Sequence, residues 1–236
     1  MGDARVNKRQ YTLALEGATY QGSVALMRGA EVICERSLHA EDGGAPRAGR
    51  GERLMPAVAE CLSEARVQNA GEEIARIVCG AGPGSFTSLR VAGSVAKGLA
   101  AGYGVELYAI ASLALSVTGA KPSLPQGEYL SVLDAMRGEF FAAHIALAPE
   151  SAVRIGATTI ISADQLADLR MSQHDLRVAG PGQDIDVRPH ARGVAPILDT
   201  IIANGPVDLA SWEPDYGRLA EAQVRWEAAH GRPLST

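Results

Sequence analysis

The sequence has few of the residues that build metal or redox centres. Its three cysteines, Cys34, Cys61 and Cys79, are widely spaced and form none of the CxxC pairs that zinc and redox sites use. We therefore expect them to be buried free thiols in a reducing compartment. The five histidines contain no HxxH or HxxxH pair. This excludes the common helical metal motifs, and we expect no metal site.

Long apolar runs and a strong charge of one sign are also missing. The longest apolar stretch, near residues 107–117, is too short to span a bilayer. The N-terminal MGDARVNKRQ leads into strand-like YTLAL and charged Glu16, not into the apolar region of a signal peptide. A cytoplasmic protein is expected. The 22 basic and 27 acidic residues give a net charge of −5 without a basic track, so tight nucleic-acid binding by the chain alone is not expected.

The residues that are present fit two similar α/β halves. A chain of 236 residues that is 47% hydrophobic can bury a substantial core. Each half begins with strands typical of antiparallel hairpins and continues with alternating strands and helices. The segment KPSLPQG is a natural boundary between them. The sequence therefore predicts a duplicated α/β unit with subdomains at residues 1–120 and 121–236.

Two predicted helices in the first half carry apolar stripes. Residues 52–66 fit one amphipathic helix, and residues 89–101, after the short strand ARIVC, fit a second. The second helix contains Gly93 and Gly98, each of which costs about 1 kcal/mol relative to alanine. Such small residues indicate close packing on two faces, against the sheet and against something else. In the second half, residues 194–203 fit a helix, and Ser162 and Gln165 have the spacing of a capping box.

The loop GAGPGSFTS between strand and helix has two interpretations. Amides at the start of the helix, near Thr87 or Ser88, would attract an anion or a nucleotide phosphate. In the structural interpretation, Gly82 and Gly84 let the chain turn sharply, Pro83 stiffens it, and a hydroxyl of Ser85, Thr87 or Ser88 caps the helix. The lysine of a Walker motif and the GxSxG elbow of a serine hydrolase are both absent. Both interpretations remain open on these residues alone.

Acidic and aromatic residues near strand ends and in the tail offer weaker signals. Glu16 follows the first strand, where a phosphate-handling acid could stand. Asp134 ends another strand three residues before Arg137 and could act as a base or metal ligand, although capping a turn is its commoner use. The tail contains Trp212, Tyr216 and Trp226, which would anchor it on the protein body or on a partner.

The segment AGPGSFTSLRVAGSVAKGLA resembles the GPGSFTGLR signature of the TsaB (YeaZ) family, bacterial partner proteins in tRNA threonylcarbamoyladenosine biosynthesis. LALEGATYQGSVAL is similar to that family's first hairpin, and ERLMPAVAECLSEA to its first helix. YLSVLDAMRGEFFAAHI is similar to its LDAR-type hairpin, and EPDYGRLAEAQVRWE to its tail. The similarity spans nearly the whole chain. It implies the duplicated, ribonuclease H-like fold of actin, Hsp70 and the sugar kinases.

The resemblance also implies a non-catalytic role. Members of the family support the catalytic subunit TsaD, which joins threonylcarbamoyl to adenosine 37 of tRNA, together with the ATPase TsaE. The helices at 52–66 and 88–101 are expected to pack on the equivalent helices of TsaD or of a second copy in a homodimer. The expected interface residues are Leu54, Val58, Cys61, Leu62, Leu89, Ala92, Val95, Ala96 and Leu99. Contact with tRNA is expected only through the complex, without a membrane.

No cofactor is expected on the chain alone, and a nucleotide at the partner interface is left open. The signature loop and its neighbours would form any anion site: Gly82, Gly84, Ser85, Phe86, Thr87, Ser88 and Arg90. The chain departs from the family pattern in three places. Glu16-Gly17 replaces the usual Asp-Thr or Asp-Ser, Ser88 replaces the signature glycine, and Met136-Arg137 reorders the LDAR motif.

Two other functions compete with this interpretation. An ATP-dependent sugar or acetate kinase-like enzyme of the same fold would need two phosphate loops, which GPGSFTS and AGPGQD at 179–184 could supply. A peptidase-like protein is suggested only by distant kinship with annotated glycoproteases, and the sequence offers no nucleophile or metal constellation for it. Calorimetry with ATP and Mg²⁺ discriminates the kinase from the partner protein.

Overall fold

The protein is described by a computed structural model that covers residues 9–38, 53–149, 151–218 and 229–231, without the side chains of 152–156. Its frame consists of two five-stranded sheets, one from each half of the chain. Helices cover the faces of the sheets. In the described ranges, none of the helices is long and apolar enough to cross a bilayer.

The first sheet joins a three-stranded antiparallel meander to two parallel strands. Its strands are β1 (Tyr11–Glu16), β2 (Ser23–Arg28), β3 (Glu31–Ser37), β4 (Ile74–Gly80) and β5 (Glu106–Ile110). Their order is β3-β2-β1-β4-β5, with β4 and β5 running parallel to β1. The helices of this half are α1 (Leu54–Glu64), α2 (Ala70–Glu73), α3 (Phe86–Tyr103) and α4 (Ser112–Thr118).

The second sheet repeats the first in order and direction. Its strands are β6 (Gly127–Asp134), β7 (Glu139–Ala148), β8 (Ser151–Ser162), β9 (Val178–Gly180) and β10 (Ile185–Asp186). They are ordered β8-β7-β6-β9-β10, antiparallel in the first three and parallel in the last two. Helix α5 (Ala163–Ser172), a 3₁₀ helix (Ala191–Ile197) and α6 (Leu198–Ala203) complete this half. The predicted fold class, a duplicated α/β unit of ribonuclease H-like topology, is confirmed.

Helices α1 and α3 lie on one face of the first sheet, and the second half lies on the other. Successive side chains of a strand point to opposite faces. Leu13 and Leu15 of β1 therefore pack with Val58 of α1 and Ala96 of α3. Ala14, between them in sequence, packs in a core that includes α4, the 3₁₀ helix and the second sheet. Every residue of β1 is buried as a result.

Most of the elements predicted from the sequence are present, with corrections. The strands β8 and β10 and the short helix α2 were not predicted. The helix predicted at 194–203 is a 3₁₀ helix followed by the short α6, because Pro196 lacks the amide that a continuous α-helix needs. The capping box is confirmed: the Gln165 amide donates to the Ser162 hydroxyl at 3.1 Å, and the Ser162 amide donates to the Gln165 side chain at 2.8 Å.

Candidate functional site

The GPGSFT loop is built into the body of the protein through its backbone. The Ala81 amide donates to the Ile110 carbonyl at 2.7 Å, the Gly82 amide to the Ser112 hydroxyl at 3.0 Å, and the Ser85 amide to the Ala18 carbonyl at 2.7 Å. A Cβ atom on Gly84 would lie 2.1 Å from that Ala18 carbonyl oxygen, so only glycine fits there. These contacts favour the structural interpretation of the loop.

Helix α3 starts directly after this loop. Ser85 occupies the N-cap position, but, contrary to the prediction, its hydroxyl makes no capping hydrogen bond to the helix backbone and donates to the Ser88 hydroxyl at 3.1 Å instead. Phe86 and Thr87 are exposed in the first turn, and Arg90 is exposed one turn further on. The helix closes at Gly104, whose left-handed φ of 61° is typical of a C-cap glycine. An anion at this helix start stays a prediction.

Glu16 lies directly beneath the loop, at the end of β1. Its side chain is 1% exposed, and it accepts a hydrogen bond from the Ala18 amide at 2.5 Å. The Ser112 hydroxyl lies 3.1 and 3.0 Å from its two carboxylate oxygens. Burial raises the pKa of Glu16 to about 7, against the opposing effect of these hydrogen bonds. Near neutral pH this carboxyl group is therefore divided between its charged and neutral forms.

Little space remains around Glu16. Gly80 approaches it so closely that a Cβ there would lie 1.9 Å from a carboxylate oxygen. The neighbouring cavity, between Tyr20, Leu54 and Val91, has a volume of about 30 Å³. Such a volume suits a water molecule, whereas small-molecule sites typically occupy about 300–1,000 Å³. The glutamate side chain therefore fills the strand end, and α3 comes so near to position 17 that a Cβ there would lie 2.7 Å from that of Ala92.

A segment near the C-terminus crosses back over the first half. Residues 207–217, which we call the strap, begin where the Val207 amide donates to the Leu107 carbonyl at 2.8 Å. The Lys97 ammonium group of α3 then donates to the Trp212 carbonyl at 2.9 Å, and the Asp215 amide donates to the Ala81 carbonyl at 2.7 Å. The chain therefore ties its end to α3 and to the GPGSFT loop.

Glycines on α3 and in the loop accommodate the strap. A Cβ on Gly93 would lie 3.0 Å from the Pro214 ring, and one on Gly82 would lie 2.1 Å from the Asp215 carbonyl oxygen. Gly82 also has a φ of 87°, which disfavours other residues. The expected second packing surface of α3 is therefore provided in part by this chain's own strap.

A pair of aromatic rings, exposed Phe86 and half-buried Tyr216, marks the point where the strap meets the start of α3. The rings of Phe86 and Tyr216 have centroids 4.6 Å apart and are tilted by 47°. The Arg90 guanidinium group lies 5.1 Å from the centre of the Phe86 ring, within the range of a cation–π interaction. Trp212 and Tyr216 thus anchor the strap on the protein body, which was one of the two predicted alternatives; the other was a partner. Trp226 lies outside the described residues.

The structure corrects the set of residues expected at a partner interface. Seven of the nine are buried in the core of this chain: Leu54, Val58, Cys61, Leu89, Ala92, Ala96 and Leu99. In the sequence, the apolar stripe of a helix that packs on its own sheet has the same pattern as the stripe of a helix that binds a partner protein. Leu62 and Val95 are only half-buried. The interface itself stays a prediction, and of the nine expected residues these two are the ones that another protein could contact.

Helices α1 and α3 lie on the same face of the first sheet, and Leu54 of α1 and Val91 of α3 line the same small cavity. Glu60 and Glu64 of α1 reach Arg36 on the edge strand β3, so Met55 and Leu62 lie on the flank of α1 away from that edge. On α3, residues 91, 95, 98 and 102 fall on one side at helical spacing. Cβ atoms on Gly98 and Gly102 would meet nothing within 4 Å among the described residues. We call Met55, Leu62, Val91, Val95 and Gly98 the α1–α3 face.

Asp134 caps a turn, as its position suggested. Its carboxylate accepts from the Met136 amide at 2.7 Å in the hairpin between β6 and β7. Met136 and Arg137 both have left-handed φ values, 67° and 60°. The expected lack of a metal site is not contradicted within the described ranges, where no three His, Cys, Asp or Glu side chains are grouped as ligands.

Comparison with known proteins identifies the family. A family model described as "TsaD: tRNA N6-adenosine threonylcarbamoyltransferase" matches residues 31–189. The chain belongs to this family. It is also similar to the "tRNA threonylcarbamoyladenosine biosynthesis protein TsaB" of Bacillus subtilis (strain 168), with 25% identity over 237 aligned residues that cover 91% of this chain and 96% of that protein. The kinship with TsaB (YeaZ) predicted from the GPGSFT signature is confirmed.

Two solved structures share the fold over nearly their full length. YeaZ from Pseudomonas aeruginosa superimposes with a TM-score of 0.72 at 24% identity, covering 88% of this chain and 99% of that one. A protein described as uncharacterized, "with similarity to peptidase YEAZ from Pseudomonas aeruginosa", gives a TM-score of 0.71 at 22% identity, covering 89% and 100%. At these identities the likeness establishes the fold alone.

The sequence did not point to Ser112 or to the path of the strap. Ser112 is the first residue of α4, two residues beyond β5, and completes the hydrogen bonds of Glu16. The available signal was a hydroxyl just beyond a parallel strand of the same sheet, one strand removed from β1. The sequence displays the aromatic residues of the tail, but it does not show that Gly82 and Gly93, far away in the chain, leave the space in which the strap lies. Only the folded chain shows that the two belong together.

Proposed function

We propose that this protein is a non-catalytic accessory subunit in the formation of N6-threonylcarbamoyladenosine at position 37 of tRNA. In this proposal it binds a TsaD-like catalytic subunit and works with a TsaE-like ATPase. Contact with tRNA occurs through the assembled complex. Membership of the family and similarity to TsaB support the pathway.

The filled strand end beneath the GPGSFT loop is the observation that supports an accessory rather than a catalytic role. Glu16, Ser112 and the backbone of the loop satisfy one another, and the adjoining cavity of about 30 Å³ is too small for a nucleotide. A group that donated or accepted protons in a reaction would need contact with substrate. Glu16 is closed off from such contact by its own neighbours.

The α1–α3 face supports docking of the catalytic subunit. Met55 is 46% exposed and Val95 is half-buried, so apolar surface remains on the outside of two adjacent helices. Gly98 and Gly102 allow another helix backbone to approach closely. A specific interface of ordinary size buries about 800 Å² on each partner, and two helices presented side by side supply much of that area. A second copy of the chain could occupy the same face in a homodimer.

The test is reconstitution of tRNA modification from purified components. We expect threonylcarbamoyladenosine to form when the chain is combined with its TsaD-like and TsaE-like proteins, ATP, a threonylcarbamoyl donor and tRNA. Omission of the chain should abolish or strongly reduce the product. Product formed equally well without the chain would contradict the proposal.

Docking is tested by co-purification with the TsaD-like protein. Gly98→Arg on the α1–α3 face should abolish capture while circular dichroism remains that of the wild type. Gly98→Ala is the matched variant at the same site, and Met171→Glu, at a residue that is 76% exposed on α5, controls for a charge elsewhere. Unchanged capture of Gly98→Arg would place the interface on another surface. Micromolar binding of ATP by the isolated chain would instead favour a kinase-like enzyme.

A further inference from the structure

Two cysteines that are distant in sequence meet in the fold. Cys34 on β3 and Cys61 on α1 have their sulfur atoms 2.7 Å apart. Both are free thiols and both are buried, with 4% and 0% of their surfaces exposed. A disulfide bond is about 2.05 Å long, so the sulfurs need to approach by only roughly 0.7 Å more to be joined.

An ion-pair cluster covers this thiol pair. Arg36 lies two residues after Cys34 on β3 and therefore on the same face of the sheet. Its guanidinium group donates to the Cys34 sulfur at 3.2 Å and to Glu60 on α1 at 3.1 Å, and it also pairs with Glu64. The pair thus lies at the rim of the layer between α1 and the sheet, beneath side chains that are themselves partly exposed.

We propose that Cys34 and Cys61 form a redox-modification site, which a hydroperoxide converts into an intramolecular disulfide and a dithiol reductant converts back by thiol–disulfide exchange. The Cys34 thiolate attacks the peroxide oxygen, the O–O bond breaks, and Cys34 becomes a sulfenic acid as hydroxide leaves. The Cys61 sulfur then attacks the Cys34 sulfur, and the S–O bond breaks. For hydrogen peroxide the balance is two thiols and one peroxide giving one disulfide and two waters.

The surroundings make Cys34 the attacking thiol. Burial raises the pKa of Cys34, but the neighbouring Cys61 and Arg36 act against that rise. Burial and the proximity of Cys34 both raise the pKa of Cys61. Since the thiolate is the nucleophile, Cys34 reacts first and Cys61 resolves the product. Peroxide reaches the pair when α1 separates locally from β3, an opening that proteins undergo below the free energy of global unfolding.

The disulfide would fasten α1 to the edge strand of the first sheet. Cys34 and Cys61 are 27 positions apart, and a cross-link of this span reduces the freedom of the unfolded chain. For a protein of this size we expect the melting temperature to rise by roughly 5–10 °C on oxidation. This site does not depend on the proposed function, since the chemistry involves this chain alone.

Hydrogen peroxide added to the purified full-length chain tests the proposal. We expect intact mass to fall by two hydrogens, free thiols to fall from three to one, and peptide mapping to join Cys34 to Cys61. Dithiothreitol should restore the original mass and melting temperature. A gain of oxygen on Cys34 without the cross-link, a cross-link between chains, or no reaction of the folded chain under conditions that oxidise the unfolded one would overturn the proposal.

The third cysteine provides the matched control. Cys79 is also fully buried, and its thiol donates to the Gly80 carbonyl at 3.4 Å. Cys79→Ala should retain the mass loss and the rise in melting temperature. Cys34→Ala and Cys61→Ala should each lose both effects, and either variant alone suffices if the other fails to fold. A temperature rise that persists in a folded Cys61→Ala protein would contradict the assignment.

Discussion

The Ser112 hydroxyl lies 3.1 and 3.0 Å from the two carboxylate oxygens of Glu16 and accepts a hydrogen bond from the Gly82 amide at 3.0 Å. This contact joins three parts of the first half: the end of β1, the GPGSFT loop and the start of α4. Glu16 at the end of β1 therefore has a structural role, and protonation of its carboxyl group affects the stability of the fold.

Stability should fall as pH rises through the titration of Glu16. Its pKa is raised from 4.5 to about 7 in the folded protein, so between these values the folded state holds a proton that the unfolded state has released. The contribution of Glu16 to the free energy of unfolding is fully present below about pH 4.5. It decreases by roughly 3 kcal/mol as pH rises from there through 7. Denaturant unfolding from pH 5 to 8 measures the slope.

Glu16→Gln should remove this part of the pH dependence. The variant keeps the shape of the side chain and an oxygen that accepts from the Ala18 amide, but it cannot ionise. We expect it to resemble the wild type at pH 5 and to be the more stable of the two at pH 8. Glu128→Gln, at an exposed position on β6, is the control. Parallel pH profiles for wild type and Glu16→Gln would show that Glu16 is not the titrating group.

The two glycines within α3 should respond differently to alanine. At Gly98 a Cβ meets nothing within 4 Å of the described residues, so Gly98→Ala should gain about 1 kcal/mol from helix propensity. This corresponds to a rise of roughly 2–4 °C in melting temperature. At Gly93 the same atom would lie 3.0 Å from Pro214, and displacement of the strap should offset the gain. Equal melting temperatures for both variants would argue against the strap contact.

Charged substitutions on α3 should separate folding from association. Ala92 is 1% exposed, and a Cβ on Gly17 would lie only 2.7 Å from its own Cβ. We expect Ala92→Arg to unfold the chain, because an arginine has no space there and its charge no partner. Val95→Glu should stay folded and lose capture by the TsaD-like protein. Circular dichroism and co-purification distinguish the two, and a folded Ala92→Arg protein would contradict the burial.

The contact between Phe86 and Tyr216 should contribute measurable coupling energy. Aromatic pairs at this separation stabilise proteins by about 0.5–1.5 kcal/mol beyond the area that they bury. A double-mutant cycle with Phe86→Ala and Tyr216→Ala should therefore give a non-additive term of about that size. Denaturant unfolding of the four proteins provides it. Strict additivity would mean that the rings do not interact in solution.

The sequence predicts structure best where the structure depends on local patterns. The meander of β1 to β3, the hairpin of β6 and β7 and the capping box at Ser162 all follow from short-range alternation or spacing, and all are present. The signature loop also led to the correct family. These features depend on residues close together in the chain, which a single sequence displays directly.

Long-range packing could not be read in the same way. The apolar stripe on α3 did not reveal whether Ala92 and Ala96 face the sheet or a partner, because both surroundings favour the same residues. The meeting of Cys34 with Cys61 depends on how α1 lies on β3. The strap over Gly93 likewise depends on a segment more than a hundred residues later in the chain. Each required the folded arrangement of distant elements.

Beside the packing of Trp212 and Tyr216, main-chain groups also hold the strap: the amide of Asp215 and the carbonyl of Trp212 exist whatever side chains stand at those positions. Many strap residues could therefore be substituted during evolution without a change in the path of the strap. The restriction falls on the receiving surface, where a Cβ on Gly82 would collide with the Asp215 carbonyl oxygen and one on Gly93 would press on the Pro214 ring. In distant relatives, two glycines more than a hundred residues before the strap should mark this crossing better than the side chains of the strap itself.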